Sequence, residues 1–182
     1  MALGITFHLN KASRQDDKKI ESIDKLLDDL SLEVAIGLFE DDKEKDGKSV
    51  LDVGKLQEFG GVGSGWINPE TKEKKFGRVP PRPFMRPAIE ANEQSLISRI
   101  KRDIRRAFKD VSNKTDAKEM AKGWGKKMTR AIRKSIRAVN EPPLSKITLR
   151  LRKERGNDSK KPLVDTGKML RSVKYEIREL KK

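Results

Sequence analysis

The sequence predicts an α+β fold in which a small antiparallel or mixed sheet packs against two long amphipathic helices. Two patterns carry this prediction: β-forming residues near 32–39 and 173–177, and apolar residues recurring every three or four positions over 83–108 and 116–139. A chain of 182 residues with 34% hydrophobic and 39% charged residues can bury only a lean core. We therefore expect thin layers, or surfaces that partners cover.

The N-terminal elements are predicted from local patterns. Asp16–Leu30 reads as a helix because its Ile and Leu residues fall on one stripe. "SLEVAIGLFE" follows, and its β-formers predict a strand over Leu32–Phe39. "SVLDVGKLQEFGG" then predicts a short helix that ends at Gly60, because glycine suits the left-handed position after a helix.

Residues 60–80 are expected to form a flexible loop. The stretch "GGVGSGW" lacks the Gly-Lys-Ser/Thr ending of a P-loop, and Trp66 stands where a G-x-G-x-x-G pattern needs its third glycine. A linker explains these glycines better than a phosphate cradle does. The loop belongs to a single α+β domain over 32–182, which follows an acidic helical segment over 1–31.

Both long helices combine an apolar face with a basic one. The first is predicted over Pro83–Phe108 with an apolar face from Leu96 to Phe108, and the second over Asp116–Val139. The candidates to face DNA or another polyanion are Arg102, Arg105, Arg106, Lys126, Arg130, Arg133, Lys134 and Arg137. A solvated surface is the alternative interpretation of the same residues.

The C-terminal third predicts two short helices and a strand. "PPLSKITLRLRKERG" begins with a Pro-Pro breaker, and Ser145 is a candidate N-cap for a short basic helix. "VDTGKMLRS" predicts a helical turn. The alternation of Val173, Tyr175 and Ile177 then predicts a strand with one buried face.

The net charge of +15 is unevenly distributed. Residues 1–60 contain 9 Lys+Arg against 14 Asp+Glu, a net of −5, whereas residues 61–182 contain 34 against 14, a net of +20. The basic part indicates a polyanion partner such as DNA, or a surface that keeps a lean protein soluble. Opposite signs also allow copies to associate head to tail.

Composition argues against several classes of site. There is no cysteine and one histidine, His8, which disfavours disulfides, Cys-based sites and His-dependent catalysis. No apolar run approaches the ~18 residues of a membrane span, and the N-terminus lacks the plan of a secretory signal. We expect a soluble, cytoplasmically made protein that is not an enzyme and has no cofactor, metal or membrane partner.

Asp165-Thr166-Gly167 is the one triplet that resembles a catalytic signature, that of an aspartic protease. Such an enzyme needs two carboxylates that share a proton, and this chain has a single Asp-Thr-Gly followed by a helix-like basic run. A symmetric dimer would have to supply the second. Asp165 as the N-cap of a short helix needs no such assumption, so a structural role is predicted.

Four motifs in order give the chain a family resemblance. "LQEFGG" (56–61), "VPPRPFMRPAIE" (79–90), "PPLSKITLRLRK" (142–153) and "PLVDTGKMLRSVKYEI" (162–177) resemble the neck, or tail-completion, proteins of tailed bacteriophages, a family also described as minor tail component or virion morphogenesis proteins. The positions that match are Glu58, Phe59, Gly60, Pro81, Arg82, Pro83, Phe84, Leu163, Val164, Asp165, Thr166, Gly167, Leu170 and Ser172.

The resemblance implies an α+β subunit that forms a homo-oligomeric ring at the head–tail junction. Its partners would be copies of itself, the head connector, and tail-tube or tail-terminator proteins. Duplex DNA would pass through the ring without being read by sequence. The implied location is the virion neck or tail, after assembly in the bacterial cytoplasm. A free, sequence-independent DNA-binding protein that uses the basic helices is the alternative.

Overall fold

The computed structural model of the chain describes residues 3–5, 25, 28, 31–40, 49–63, 65–67, 71–109 and 116–179. In chain order the elements are β1 Leu3–Ile5, β2 Leu32–Leu38, α1 Val50–Phe59, β3 Gly61–Val62, β4 Trp66–Ile67, β5 Lys74–Lys75, β6 Arg78–Val79, α2 Met85–Glu90, α3 Glu93–Lys109, α4 Ala117–Ala138, α5 Lys146–Glu154, α6 Lys168–Ser172 and β7 Lys174–Glu179. The predicted α+β class is confirmed.

Parts of the N-terminal predictions lie outside the described residues. Of the helix predicted over Asp16–Leu30, only Lys25 and Asp28 are described, and both are helical. His8 is also outside the described residues.

The main sheet is antiparallel, with strand order β1-β2-β7. β2 pairs with β7 from Leu32 opposite Glu179 to Gly37 opposite Lys174, and with β1 on its other edge. Every residue of β2 except Glu33 is buried, because this central strand is covered on both faces. A continuous run of β-formers is the pattern that such a strand requires, and the predicted strand over 32–39 is confirmed.

Helix α4 forms the layer that covers the sheet, and it contacts both β2 and β7. Its N-cap is Asp116, whose Oδ1 accepts hydrogen bonds from the backbone N–H of Lys118 at 2.8 Å and of Glu119 at 3.4 Å. Residues spaced one turn apart on one face are buried: Trp124, Met128, Ile132 and Ile136. The predicted helix over Asp116–Val139 and its apolar face are confirmed.

The single helix predicted over Pro83–Phe108 was wrong, since two helices, α2 and α3, share this stretch. The break falls at Ala91–Asn92, where Asn92 Nδ2 donates to the Ala88 carbonyl at 2.9 Å. Asparagine competes locally for backbone partners, which favours the end of a helix over its continuation. In α3 only Leu96 and Ala107 are buried, and Phe108 remains 36% exposed.

Residues 61–79, here called the arm, contain more structure than the predicted loop. β3 pairs with β6 and β4 pairs with β5, both antiparallel, so the chain leaves α1 and returns before α2. Two-residue ladders in a glycine-rich stretch leave no periodicity for sequence analysis to detect. Gly60 precedes the arm at φ 73° and ψ 178°, a region that is accessible to glycine almost alone.

Candidate functional site

Glu58 joins the first two sequence motifs. Its side chain is buried, and its carboxylate accepts from the backbone N–H of Phe84 at 2.7 Å, Met85 at 2.9 Å and Arg86 at 3.1 Å. These donors are the orphan N–H groups at the start of α2, which lacks a side-chain bond from its own N-cap residue. A carboxylate from α1 therefore caps a helix that begins 27 residues later.

Arg82 joins the second motif to the third. Arg82 is only 5% exposed, so its guanidinium lies inside the subunit and not on its surface. Its Nε donates to the Pro142 carbonyl at 2.7 Å and its Nη2 to the Pro143 carbonyl at 2.9 Å. Burial, with the nearby positive charge of Arg152 in second place, lowers the pKa of Arg82 from its ordinary value.

Arg152 joins the third motif to the fourth. It is 4% exposed, and its guanidinium donates to the backbone carbonyls of Ser159, Lys161, Pro162 and Val164. Asp165 Oδ1 lies 3.4 Å from Arg152 Nε. Burial lowers the pKa of Arg152, and the Asp165 carboxylate opposes that shift. The loop before α6 is thus wrapped around one buried cation.

The prediction that Asp165 is the N-cap of α6 was wrong. Gly167 occupies that position in the left-handed conformation at φ 73°, and Lys168 N–H donates to Thr166 Oγ1 at 3.2 Å. Asp165 instead accepts from Asn157 Nδ2 at 2.6 Å and Arg155 Nη2 at 3.2 Å. Its role is nevertheless structural, because the carboxylate neutralises the arginine cluster.

The remaining motif residues divide between the core and the surface. Phe84 and Leu163 belong to the hydrophobic core, and Ser172 is buried. Val164 and Leu170 pack against the core while partly exposed. Pro81, Pro83 and Thr166 are exposed, as is Phe59 at 60%.

The basic residues of α4 separate into free and engaged side chains. Lys126, Arg130, Lys134 and Arg137 are exposed, and no carboxylate of the described residues lies within ion-pair distance of them. Arg133 is half-buried, and its Nη2 donates to the carbonyls of Val173 at 2.8 Å and Arg171 at 3.3 Å. Arg133 therefore links α4 to the start of β7 as well as adding charge.

The basic residues of α3 are also on the surface. Arg102, Arg105 and Arg106 are exposed, and within the described part of the chain none of them has an ion-pair partner. Between α3 and α4, Trp124 Nε1 donates to Asp103 Oδ2 at 2.9 Å. Asp103 thus offsets Arg99 and holds the helix pair, while the other cations of α3 remain available for a partner.

A groove runs between the middle of α4 and the start of β7. It has a volume of about 410 Å³ and is lined by Lys126, Thr129, Arg130, Arg133, Lys174 and Tyr175. The helix approaches the strand closely because Gly125 has no side chain: a Cβ there would lie 2.5 Å from Tyr175 Cγ. Sequence analysis missed Thr129, Lys174 and Tyr175, because only the fold brings them beside the basic face.

Two exposed apolar pairs stand on different elements. On the arm, Val62 is 69% and Phe76 is 62% exposed. On α5, Ile147 is 43% and Leu151 is 38% exposed, while Arg152 on the same helix is buried. On α5, apolar side chains outside and an arginine inside reverse the usual pattern of burial.

Comparison with protein-family models, with curated proteins and with solved structures finds no match for the chain. None of the helices in the described residues is long and apolar enough to cross a membrane. Over the same part of the chain, no cluster of three His, Cys, Asp or Glu residues is arranged to hold a metal ion.

Proposed function

We propose that the chain is a structural virion protein of a tailed bacteriophage, an oligomeric adaptor at the neck that completes the tail and joins it to the head connector around the DNA path. One observation supports the proposal most. The four motifs of the family resemblance form a single connected network, through Glu58, Arg82 and Arg152 in turn. Motifs that meet in space form one scaffold, and this arrangement supports the proposal.

The surface supports an assembly role. A closed ring is built from heterologous contacts, which need two different surfaces on each copy. The exposed pairs Val62–Phe76 on the arm and Ile147–Leu151 on α5 are two such candidates. The charge split of −5 and +20 along the chain also favours head-to-tail contacts.

The exposed cations support contact with passing DNA. Lys and Arg bind the phosphate backbone without reading bases, which suits a lumen through which a whole genome must slide. Such contacts require charges that the protein does not neutralise itself. Lys126, Arg130, Lys134 and Arg137 on α4 meet that condition among the described residues.

The decisive test is to purify particles of the phage that encodes the chain and analyse them by mass spectrometry and electron microscopy. The proposal expects the chain in the particles, in several copies, at the head–tail junction. The purified protein should form rings alone or on its connector or tail partner. Particles that lack the chain would exclude the proposal.

A free DNA-binding protein is the second candidate, and the unpaired cations of α3 and α4 favour it. It predicts micromolar or tighter binding of duplex DNA by the isolated chain at low salt, with affinity falling steeply as salt rises. Such binding together with absence from particles would select this function over the adaptor.

A further inference from the structure

The groove between α4 and β7 has the chemistry of an anion site. Lys126, Arg130 and Arg133 line it from the helix. Lys174 lines it from the strand, with its Nζ 5.4 Å from the centroid of the Phe39 ring. None of the residues that line it is a carboxylate. We propose that this groove binds a phosphate group. The proposal rests on the proposed function only for the source of that phosphate, which would be the backbone of duplex DNA.

The helix places like charges where they repel. Lys126, Arg130 and Arg133 lie at spacings of four and three residues, so they are neighbours on one face of α4, and like charges at these spacings destabilise a helix. Within the described residues no carboxylate offsets Lys126 or Arg130. A bound anion would offset this repulsion, and the gain in stability would favour the binding of negatively charged ligands.

Two buried polar atoms of the groove residues lack partners. Thr129 is 7% exposed, and neither its Oγ1 nor Arg133 Nε has a hydrogen-bond partner among the described residues. Threonine inside a helix commonly bonds the carbonyl one turn earlier, and this hydroxyl does not. Both atoms are closed to solvent, so a phosphate in the groove gains them as donors through rotation of the Thr129 and Arg133 side chains.

Phosphate suits the donors better than a carboxylate does. Arg133 is held by the carbonyls of Val173 and Arg171, so its guanidinium is oriented before any ligand arrives. Arg130 is exposed and can present its planar fork to two oxygens of one group. A phosphate offers enough oxygens for two guanidiniums, a lysine and a hydroxyl together.

The test uses the full chain and two probes, inorganic phosphate at constant ionic strength balanced with chloride, and a short DNA duplex. The groove variants are Arg130→Gln, Lys126→Gln and Thr129→Val. Lys101→Gln is the matched control, because Lys101 is an exposed lysine of α3 outside the groove. Binding is measured by calorimetry or NMR, and folding of each variant by its thermal midpoint.

We expect Arg130→Gln to weaken phosphate binding about tenfold, because a charge-assisted pair is lost. Thr129→Val should weaken it while leaving the thermal midpoint unchanged or higher, because valine removes a buried hydroxyl that has no partner. If Thr129 had only a structural role, Thr129→Val would not weaken phosphate binding while the thermal midpoint stayed unchanged or rose. Lys101→Gln should bind phosphate like the unmodified chain.

The duplex identifies the source of the phosphate. If duplex affinity follows the same order and Arg130→Gln reduces the salt slope by about one, the DNA backbone supplies the phosphate. If the groove variants weaken the binding of inorganic phosphate but not that of the duplex, the groove is a site for a free phosphate or a small phosphate ester. Equal phosphate affinity in Arg130→Gln and Lys101→Gln, or no phosphate binding beyond that of chloride, overturns the proposal. Detection of the chain in particles is independent of either result.

Discussion

Buried charge at single residues holds this lean core together. Glu58, Arg82 and Arg152 are each about 5% exposed, and each forms several hydrogen bonds to backbone groups that lie between 7 and 61 residues away. A charge is buried without large penalty only when such partners surround it. Removing one partner therefore costs far more than a surface substitution.

Glu58→Ala tests the cap that α1 provides for α2. The substitution leaves three backbone N–H groups without their acceptor, so we expect the free energy of unfolding to fall by about 2–4 kcal/mol in urea denaturation. Glu58→Gln keeps one acceptor oxygen, so its free energy of unfolding should lie between that of Glu58→Ala and that of the unmodified chain. Glu90→Ala, at an exposed position, should change stability by less than about 0.5 kcal/mol. Equal effects at the two glutamates would show that the cap contributes nothing.

Asp165→Asn distinguishes a charge partner from a helix cap. Asparagine caps helices as well as aspartate does, so a cap would tolerate the change. Because Asp165 balances Arg152 and Arg155, we expect a loss of about 1–3 kcal/mol in the free energy of unfolding. Asp116→Asn, at the true N-cap of α4, is the control and should be nearly neutral. A neutral Asp165→Asn would show that the charge of this carboxylate contributes little to stability, because Gly167 is the N-cap in either case.

At the scale of elements, close approach of α4 to β7 defines both the core and the groove. Gly125 permits that approach, while Gly123 on the same helix meets only the far end of the Arg99 side chain, at 3.2 Å. Packing therefore requires glycine at position 125 but not at position 123. Alanine substitutions at the two positions separate the effect of packing on stability from that of helix propensity.

Gly125→Ala should destabilise the protein by about 1–3 kcal/mol, because its Cβ collides with the Tyr175 ring and the core cannot yield cheaply. Gly123→Ala should instead raise stability by about 0.5–1 kcal/mol, since alanine favours the helix and Arg99 can move aside. Thermal or urea unfolding measures both. A stabilising Gly125→Ala would show that the contact between α4 and β7 has room for a Cβ at position 125.

The end of β7 is tied to the start of α4 by Glu179, which accepts from Lys118 Nζ at 2.7 Å. This hydrogen bond lowers the pKa of Glu179 from its ordinary value of 4.5. The contribution to stability is therefore present above the unfolded pKa and is lost as pH falls through the lower, folded pKa. NMR titration should give a depressed pKa that returns towards 4.5 in Lys118→Gln. An unchanged pKa in that variant would exclude Lys118 as the cause.

For the whole molecule, the proposed ring requires two surfaces through which copies bind one another. Replacing both Val62 and Phe76 by serine should abolish assembly without lowering the thermal midpoint, since both side chains are already in solvent. Replacing both Ile147 and Leu151 by serine should also abolish assembly, but with a lower thermal midpoint, because these side chains are only 43% and 38% exposed. If the two surfaces meet head to tail, a mixture of the variants retains one intact contact and should form dimers in native mass spectrometry. Assembly that survives both pairs of substitutions would exclude these surfaces.

Local sequence patterns predicted the α+β class, the strand over 32–39, helix α4, the cap at Ser145 and the final strand. These features follow from periodicity and from capping groups within a few residues of one another, so a local pattern is enough. The two basic faces were also visible, because charge on a helix face has the same local period.

The partners and the burial of the charged motif residues depend on tertiary packing and could not be predicted from local sequence. Glu58 reaches a partner 26 residues away and Arg82 one 61 residues away, and neither spacing leaves a trace in local composition. An arginine on a helix reads as solvated, yet Arg152 is buried because carbonyls converge on it from a loop that follows. The groove has the same origin, since its cations become a site only where Gly125 lets a strand approach the helix. Long-range packing sets the environment of a charge, and that environment decides what the charge does.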